Sequence, residues 1–242
     1  MRLLLLQARD ADDPMRENEI AAFARVIGCP VDGISVLDVL TEEITAARLA
    51  ETDVVLIGGS GHYSACGGEP WLARTLDGLR LIHQRHQPMF ASCWGFQALA
   101  RALGGQVRND RRRAEVGTHP LQLTDAGRAD PLFGRLPDPF IAQMGHEDHV
   151  ITLPPDAVHL AASENVPHQA YTFADRPIYA TQFHAELSAD DLRKRIRSYP
   201  EYLKLLTGLT FEEFCEQTQE TPECAQLVPR FLSLLETGAL PG

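Results

Sequence analysis

The chain has 242 residues, 44% of them hydrophobic and 23% charged, which fits one large or two small globular domains and excludes a disordered chain, a collagen-like repeat or a disulfide-stapled scaffold. With 33 acidic against 22 basic side chains the net charge is -11, which argues against a general nucleic-acid binder. The first apolar run, Leu3-Leu4-Leu5-Leu6, is too short for a membrane span or a signal peptide. Cys29, Cys66, Cys93, Cys215 and Cys224 are an odd number of cysteines without a C-x-x-C pair, as expected of free thiols in a cytoplasmic protein.

In chain order, the pattern predicts a buried strand over Arg2–Gln7, a helix over Glu17–Ile27 and a strand over Gly33–Leu40. A further strand, Asp53–Ile57, ends in Gly58-Gly59-Ser60-Gly61. A helix over Trp71–Gln87 and a strand over Pro88–Ser92 follow. The helix predicted over Trp94–Leu103 stops at Gly104-Gly105. The segment Arg108–Arg113 is the one basic cluster; it reads as a solvated loop, or as a docking patch for an acidic partner or an anionic ligand. Strands are expected over Leu121–Leu123, Phe140–Met144, Val158–Ser163, Ala170–Phe173 and Ile178–Phe183, and helices over Asp190–Ser198, Thr210–Gln217 and Pro222–Glu236. The alternation implies an α/β fold, a mostly parallel central sheet between two helical layers. No linker divides it. Residues 1–190 are expected to form one domain and 191–242 a helical extension packed on it.

Three stretches carry chemistry. In Met89-Phe90-Ala91-Ser92-Cys93-Trp94-Gly95-Phe96-Gln97, an apolar strand runs straight into a helix with Cys93 at the junction. A sharp nucleophile-bearing turn needs such small neighbours. It would present Cys93 at the carboxyl edge of the sheet, at a helix N-terminus that favours the thiolate. In Tyr179-Ala180-Thr181-Gln182-Phe183-His184-Ala185-Glu186, a strand leads into His184 with Glu186 two residues on. Side chains at i and i+2 share a side in extended chain, so Glu186 can orient one imidazole nitrogen while the other faces a thiol. Gly58-Gly59-Ser60-Gly61 lacks the nucleotide-binding spacings; near Cys93 it would offer backbone N–H groups to a developing oxyanion.

Together, in this order and spacing, Gly58-Gly59, Cys93-x-Gly95-x-Gln97 and His184-x-Glu186 resemble the class I, triad-type glutamine amidotransferases. The likeness covers residues 1 to about 190 and is greatest to stand-alone proteins related to the amidotransferase domain of GMP synthase. The resemblance implies a flavodoxin-like three-layer fold. It also implies a nucleophile (Cys93), a base and acid (His184) and its orienting carboxylate (Glu186). The N–H groups of Gly59 and Trp94 would form the oxyanion hole. Gly61, Gln97, Gly145, His146 and Glu147 would hold the amino-acid end of L-glutamine or another γ-glutamyl compound. No cofactor or metal is implied.

The chain departs from the family pattern at four places. Ala91 and Phe96 flank the turn, Ala185 replaces a usual Pro, and Glu147 replaces a usual Gly beside the expected substrate carboxylate. After Glu186 only about 56 residues remain, so an ammonia-accepting synthase would be a separate chain. The readings are a glutaminase feeding that chain, a hydrolase of γ-glutamyl amides, or a non-catalytic binding module. His83 and His86 share one face of the predicted helix but lack a third ligand; exposed histidines are the expectation.

Overall fold

The structure is a computed structural model that describes residues 1–241. Its first half alternates β1 (Leu3–Ala8), α1 (Met15–Ile27), β2 (Ile34–Asp38), α2 (Ala46–Ala50), β3 (Val54–Ser60), α3 (Pro70–Gln84), β4 (Met89–Ser92) and α4 (Trp94–Ala102). There follow β5 (Gln106–Asn109), β6 (Glu115–Leu123), α5 (Asp125–Ala129), β7 (Phe140–His146), β8 (Asp148–Thr152), β9 (Ala157–Ala162), β10 (Ala170–Phe173) and β11 (Arg176–Thr181). The chain ends in α6 (Ala189–Ser198), α7 (Pro200–Thr207), α8 (Phe211–Gln217), α9 (Pro222–Ala225) and α10 (Leu227–Glu236).

The main sheet has the order β2-β1-β3-β4-β11-β10-β9-β6-β7. The five strands β2, β1, β3, β4 and β11 run parallel, and β10, β9, β6 and β7 continue the sheet antiparallel. Because successive strand residues face opposite sides, β1 sends Leu3 and Leu5 to one layer and Leu4 and Leu6 to the other. The first layer holds Phe23 of α1 and Phe231 of α10; the second holds Leu72, Leu79 and Ile82 of α3 and Leu99 of α4. Phe231 packs on Phe90 and Tyr179 with ring centroids 5.8 and 5.7 Å apart, so the last helix supplies part of the central core. A smaller cluster of Val116, Leu192, Ile196, Leu203 and Phe214 joins α6, α7 and α8 to β6.

Several elements differ from the sequence expectation. Helix α3 stops at Gln84 because Pro88 disfavours helix before it and His86 adopts a left-handed conformation (φ 52°). His83 and His86 therefore do not share a helix face. His83 instead packs edge-on against Phe173, centroids 4.8 Å apart. Strand β6 is nine residues long rather than three; its polar first half is held by pairing with β7 over Glu115–Leu121. The glycine-rich segment Gly58–Ser60 belongs to β3 itself. The short elements α2, α7, β5 and β8 lay outside the expectation, being too short for periodicity to register. Four cysteines besides Cys93 are free thiols. No helix among the described residues is long and apolar enough to cross a membrane.

Candidate active site

The carboxyl ends of the parallel strands converge on one cavity of about 450 Å³. Cys93 follows β4 directly, with φ 52° and ψ -105°, a region a non-glycine residue rarely adopts and one that costs about 1–3 kcal/mol. The surrounding structure holds it there. The Cys93 N–H donates to Thr181 O on β11 at 2.8 Å, and its carbonyl accepts from the Gln97 N–H at 3.2 Å. Gly95 permits the turn: a Cβ there would stand 2.5 Å from Ile57 Cγ2. Ala91 and Ser92 are fully buried beneath it.

His184 leaves the end of β11 and is tied to β7 by its N–H, which donates to Gln143 O at 2.9 Å. Its Nδ1 lies 2.6 Å from Glu186 Oε1, and both side chains are buried. Burial alone would lower the imidazole pKa. The charges of Glu186 and Cys93, with their hydrogen bonds, outweigh it and hold His184 up at about 9. The Glu186 carboxyl is itself held below its ordinary value. Burial opposes its ionisation, but His184 and then Arg195 overcome that penalty. Gly59 lies against the same ring, and a Cβ on it would stand 3.1 Å from His184 Cε1.

The remaining expected residues line the cavity, and some of them also brace it. Gly61 lines it and packs over Asp13; a Cβ would stand 2.8 Å from Asp13 Oδ2. Trp94 opens α4, and its ring lies beside that of Trp71 with centroids 5.9 Å apart. Gly145 O faces the Cys93 Sγ at 3.8 Å. The Gln97 amide is spent on the 145–148 segment: its Nε2 donates to Asp148 O at 2.7 Å and to Gln182 Oε1 at 3.2 Å. Both nitrogens of His146 are likewise engaged, Nδ1 with Asp148 O and Nε2 with Glu115 Oε2, each at 3.0 Å. Glu115 also accepts from Ser163 Oγ and Gln169 Nε2, both at 2.6 Å. Gln97 and His146 thus both line the cavity and brace the segment beside it.

Glu147 faces the cavity rim, where Arg111 Nε donates to its Oε2 at 3.1 Å and Asn109 Nδ2 stands at 3.5 Å. The basic cluster is solvent-exposed, as expected, but its side chains do not form one patch. Arg111 turns to the site, Arg112 pairs with Asp110 at 3.0 Å, and Arg113 donates to Asn165 O. The sequence reading missed the opposite wall. Arg9 follows β1, Tyr63 follows β3, and Arg195, Tyr199 and Tyr202 come from α6 and α7 and the junction between them. The signal for Arg195 was present: it interrupts the apolar stripe Leu192, Ile196, Tyr199 on one helix face.

A ligand cavity at the carboxyl ends of parallel strands places the molecule among α/β proteins that bind small molecules at that edge. The chain belongs to the class I glutamine amidotransferases: the family model "Glutamine amidotransferase class-I" matches residues 10–197. It is similar to GMP synthase [glutamine-hydrolyzing] of Solidesulfovibrio magneticus, 36% identical over 177 residues, covering 70% of this chain and 32% of that protein. It is also similar to the glutamine amidotransferase-like protein chyE of Penicillium rubens, 29% identical over 196 residues, covering 78% and 80%. The matches thus cover between about a fifth and a third of the length of the GMP synthase relatives. A solved glutamine amidotransferase from Thermotoga maritima superposes with a TM-score of 0.76 at 21% identity over 96% of this chain and 97% of that one. One from Methylobacillus flagellatus gives 0.72 at 21% identity over 96% and 94%. These likenesses concern the fold.

Proposed function

We propose that the chain hydrolyses the side-chain amide of L-glutamine through Cys93, His184 and Glu186. The carrying observation is the His184–Glu186 contact of 2.6 Å beside a cysteine held on a strained strand-to-helix turn. Cys93 Sγ attacks the amide carbon and its proton passes to His184. The N–H groups of Gly59 and Trp94 receive the oxyanion. His184 then protonates the departing nitrogen as the C–N bond breaks, leaving a thioester. Water, deprotonated by His184, attacks the thioester; glutamate leaves and the thiol is restored. Glu186 keeps the imidazole in the required tautomer and stabilises its cation. Gly61, Gly145 and Glu147 border the amino-acid end, and Gln97 and His146 fix the segment that holds it. Ammonia passes to a separate acceptor enzyme.

A second reading, hydrolysis of larger γ-glutamyl amides, is favoured by the Arg111–Glu147 pair. It puts a carboxylate where the resemblance leads one to expect only backbone, and this alters the reception of the amino-acid end.

The test is glutamate and ammonia release from L-glutamine by the purified chain beside Cys93→Ala. Turnover lost in the variant supports the proposal. Neither turnover nor labelling of Cys93 by a glutamine-analogue electrophile overturns it in favour of a non-catalytic binding module.

A further inference from the structure

Arg195 is buried, 7% exposed, yet it forms no ion pair among the described residues. Its Nε donates to Asn18 Oδ1 at 3.3 Å, and its Nη2 has no hydrogen-bond partner. The neighbouring Arg9 is different. It is equally buried, but Glu19 Oε2 lies 3.2 Å from its Nε and Asp13 Oδ2 3.0 Å from its Nη1. Asp13 in turn accepts from Tyr199 Oη at 2.9 Å. Asp13 and Glu19 are therefore committed to Arg9, and Glu186, the other carboxylate whose charge Arg195 feels, is bonded to His184. A guanidinium does not neutralise in a protein, and a buried charge without a partner is costly. Burial and the like charge of Arg9 lower the Arg195 pKa more than the charges of Glu19, Glu186 and Cys93 raise it, and among the described residues no carboxylate bonds the guanidinium directly.

The position of that cation is informative. Arg195 lines the catalytic cavity, and its Nη1 would stand 3.8 Å from a Cβ on Gly59, on the same side as His184. Gly145, whose carbonyl faces Cys93, and Glu147 with Arg111 line the same cavity. In the reaction above His184 hands its proton to the departing nitrogen, so whatever that nitrogen carries leaves on the Arg195 side. Glutamine carries only hydrogens there.

We infer that Arg195, beside Tyr199, is a leaving-group subsite for a carboxylate, so that the site takes γ-glutamyl amides of amino acids. The inference rests on the triad reading and extends it to the leaving group. With such a substrate Cys93 Sγ forms the C–S bond and the amide C–N bond breaks. The thiol proton travels through His184 to the amino nitrogen, and the free amino acid departs. Water then cleaves the thioester to glutamate as before, one water being consumed per amide.

The probes are γ-glutamylglycine, γ-glutamyl ethylamide (similar in size but without the carboxylate) and glutamine. The native chain is expected to turn over γ-glutamylglycine with kcat/KM on the order of 10–100-fold above the ethylamide, the range of a charge-assisted contact. In Arg195→Met that ratio falls to about one, and Arg195→Lys restores part of it. Equal kcat/KM for the two amides in the native chain overturns the inference. So does Arg195→Met slowing all three substrates by one factor with the ratio intact, since Arg195 then serves the oxyanion or the fold. Binding to Cys93→Ala by calorimetry reads the subsite without chemistry. Tighter binding of γ-glutamylglycine than of the ethylamide, lost on adding Arg195→Met, supports the subsite even if turnover fails. Equal binding, or none of either, overturns it. Loss of turnover together with retained selective binding overturns only the triad reading.

Discussion

Gly59 and His184 are packed closely: a Cβ on the glycine would stand 3.1 Å from Cε1 of the imidazole, so the ring would have to give way by a few tenths of an ångström. The same glycine is the proposed oxyanion donor, so ring position and donor position are coupled through one backbone. Gly59→Ala is expected to move both. Alanine keeps the backbone N–H, so kcat is expected to fall by less than the about 10²–10³-fold that loss of such a donor costs, while the overpacking itself costs up to about 1–3 kcal/mol. Steady-state glutaminase kinetics beside a thermal melt separate the two. A variant with native kcat would remove Gly59 from the mechanism.

The carboxylate of Glu186 is the first charge that raises the His184 pKa against burial. In Glu186→Gln that charge is gone and burial wins, so the imidazolium is expected to lose its proton well below the value of about 9 it has in the native chain. The basic limb of the pH profile of Cys93 alkylation moves down by more than one pH unit, and kcat falls by about 10²–10⁴-fold. An unmoved basic limb would show that Glu186 does not control the ring.

The same shift bears on stability. The folded His184 pKa lies above the ordinary histidine value of about 6.5, so the imidazolium stabilises the fold fully below that pH. The contribution is lost as pH rises through about 9. Denaturant unfolding of the native chain is expected to weaken between about pH 6.5 and 9 relative to His184→Gln, which lacks this titration. Parallel pH curves for the two proteins would refute the assignment.

Phe231 is wholly buried between Phe90 of β4 and Tyr179 of β11, the two strands that lead to Cys93 and His184. Phe231→Ala is expected to destabilise by about 3–5 kcal/mol, as measured by denaturant unfolding. A cost below about 1 kcal/mol would mean that α10 merely covers the sheet.

Glu147 and Arg111 form a partly exposed pair, 18% and 61% by side chain, and such pairs contribute about 0–1 kcal/mol. Glu147→Gly is therefore expected to leave thermal stability unchanged. It also removes a negative charge from the place assigned to the substrate's carboxylate, so KM for glutamine should fall several-fold with little change in kcat. A raised KM would show that Glu147 holds the amino group instead.

Much of this was legible from local pattern. Alternation of short apolar runs with amphipathic ones is a period effect, so β1, β3, β4 and the helices α1, α3 and α4 were expected within a few residues. The Cys93 turn was legible because only small residues at 91, 92 and 95 let strand and helix meet there. The pairing of His184 with Glu186 follows from i,i+2 geometry alone. Strands β5 and β8, by contrast, are four and five residues of mixed polarity that exist only because they pair with each other.

What the sequence by itself determined, then, is the set of reactive groups and the α/β frame, because residue type and short-range periodicity suffice for both. Tertiary structure alone decided which partners each side chain would find. Gln97 and His146 line the cavity, and the Gln97 amide nitrogen and both His146 nitrogens also brace the 145–148 segment and its neighbours. Arg111 crosses to Glu147, 36 positions away. Arg195, which only interrupts the apolar stripe of its helix when read along the chain, is buried at the cavity with no carboxylate bonded to it. Such partnerships depend on contacts between distant segments; a local pattern can mark a residue such as Arg195 but does not record what it meets.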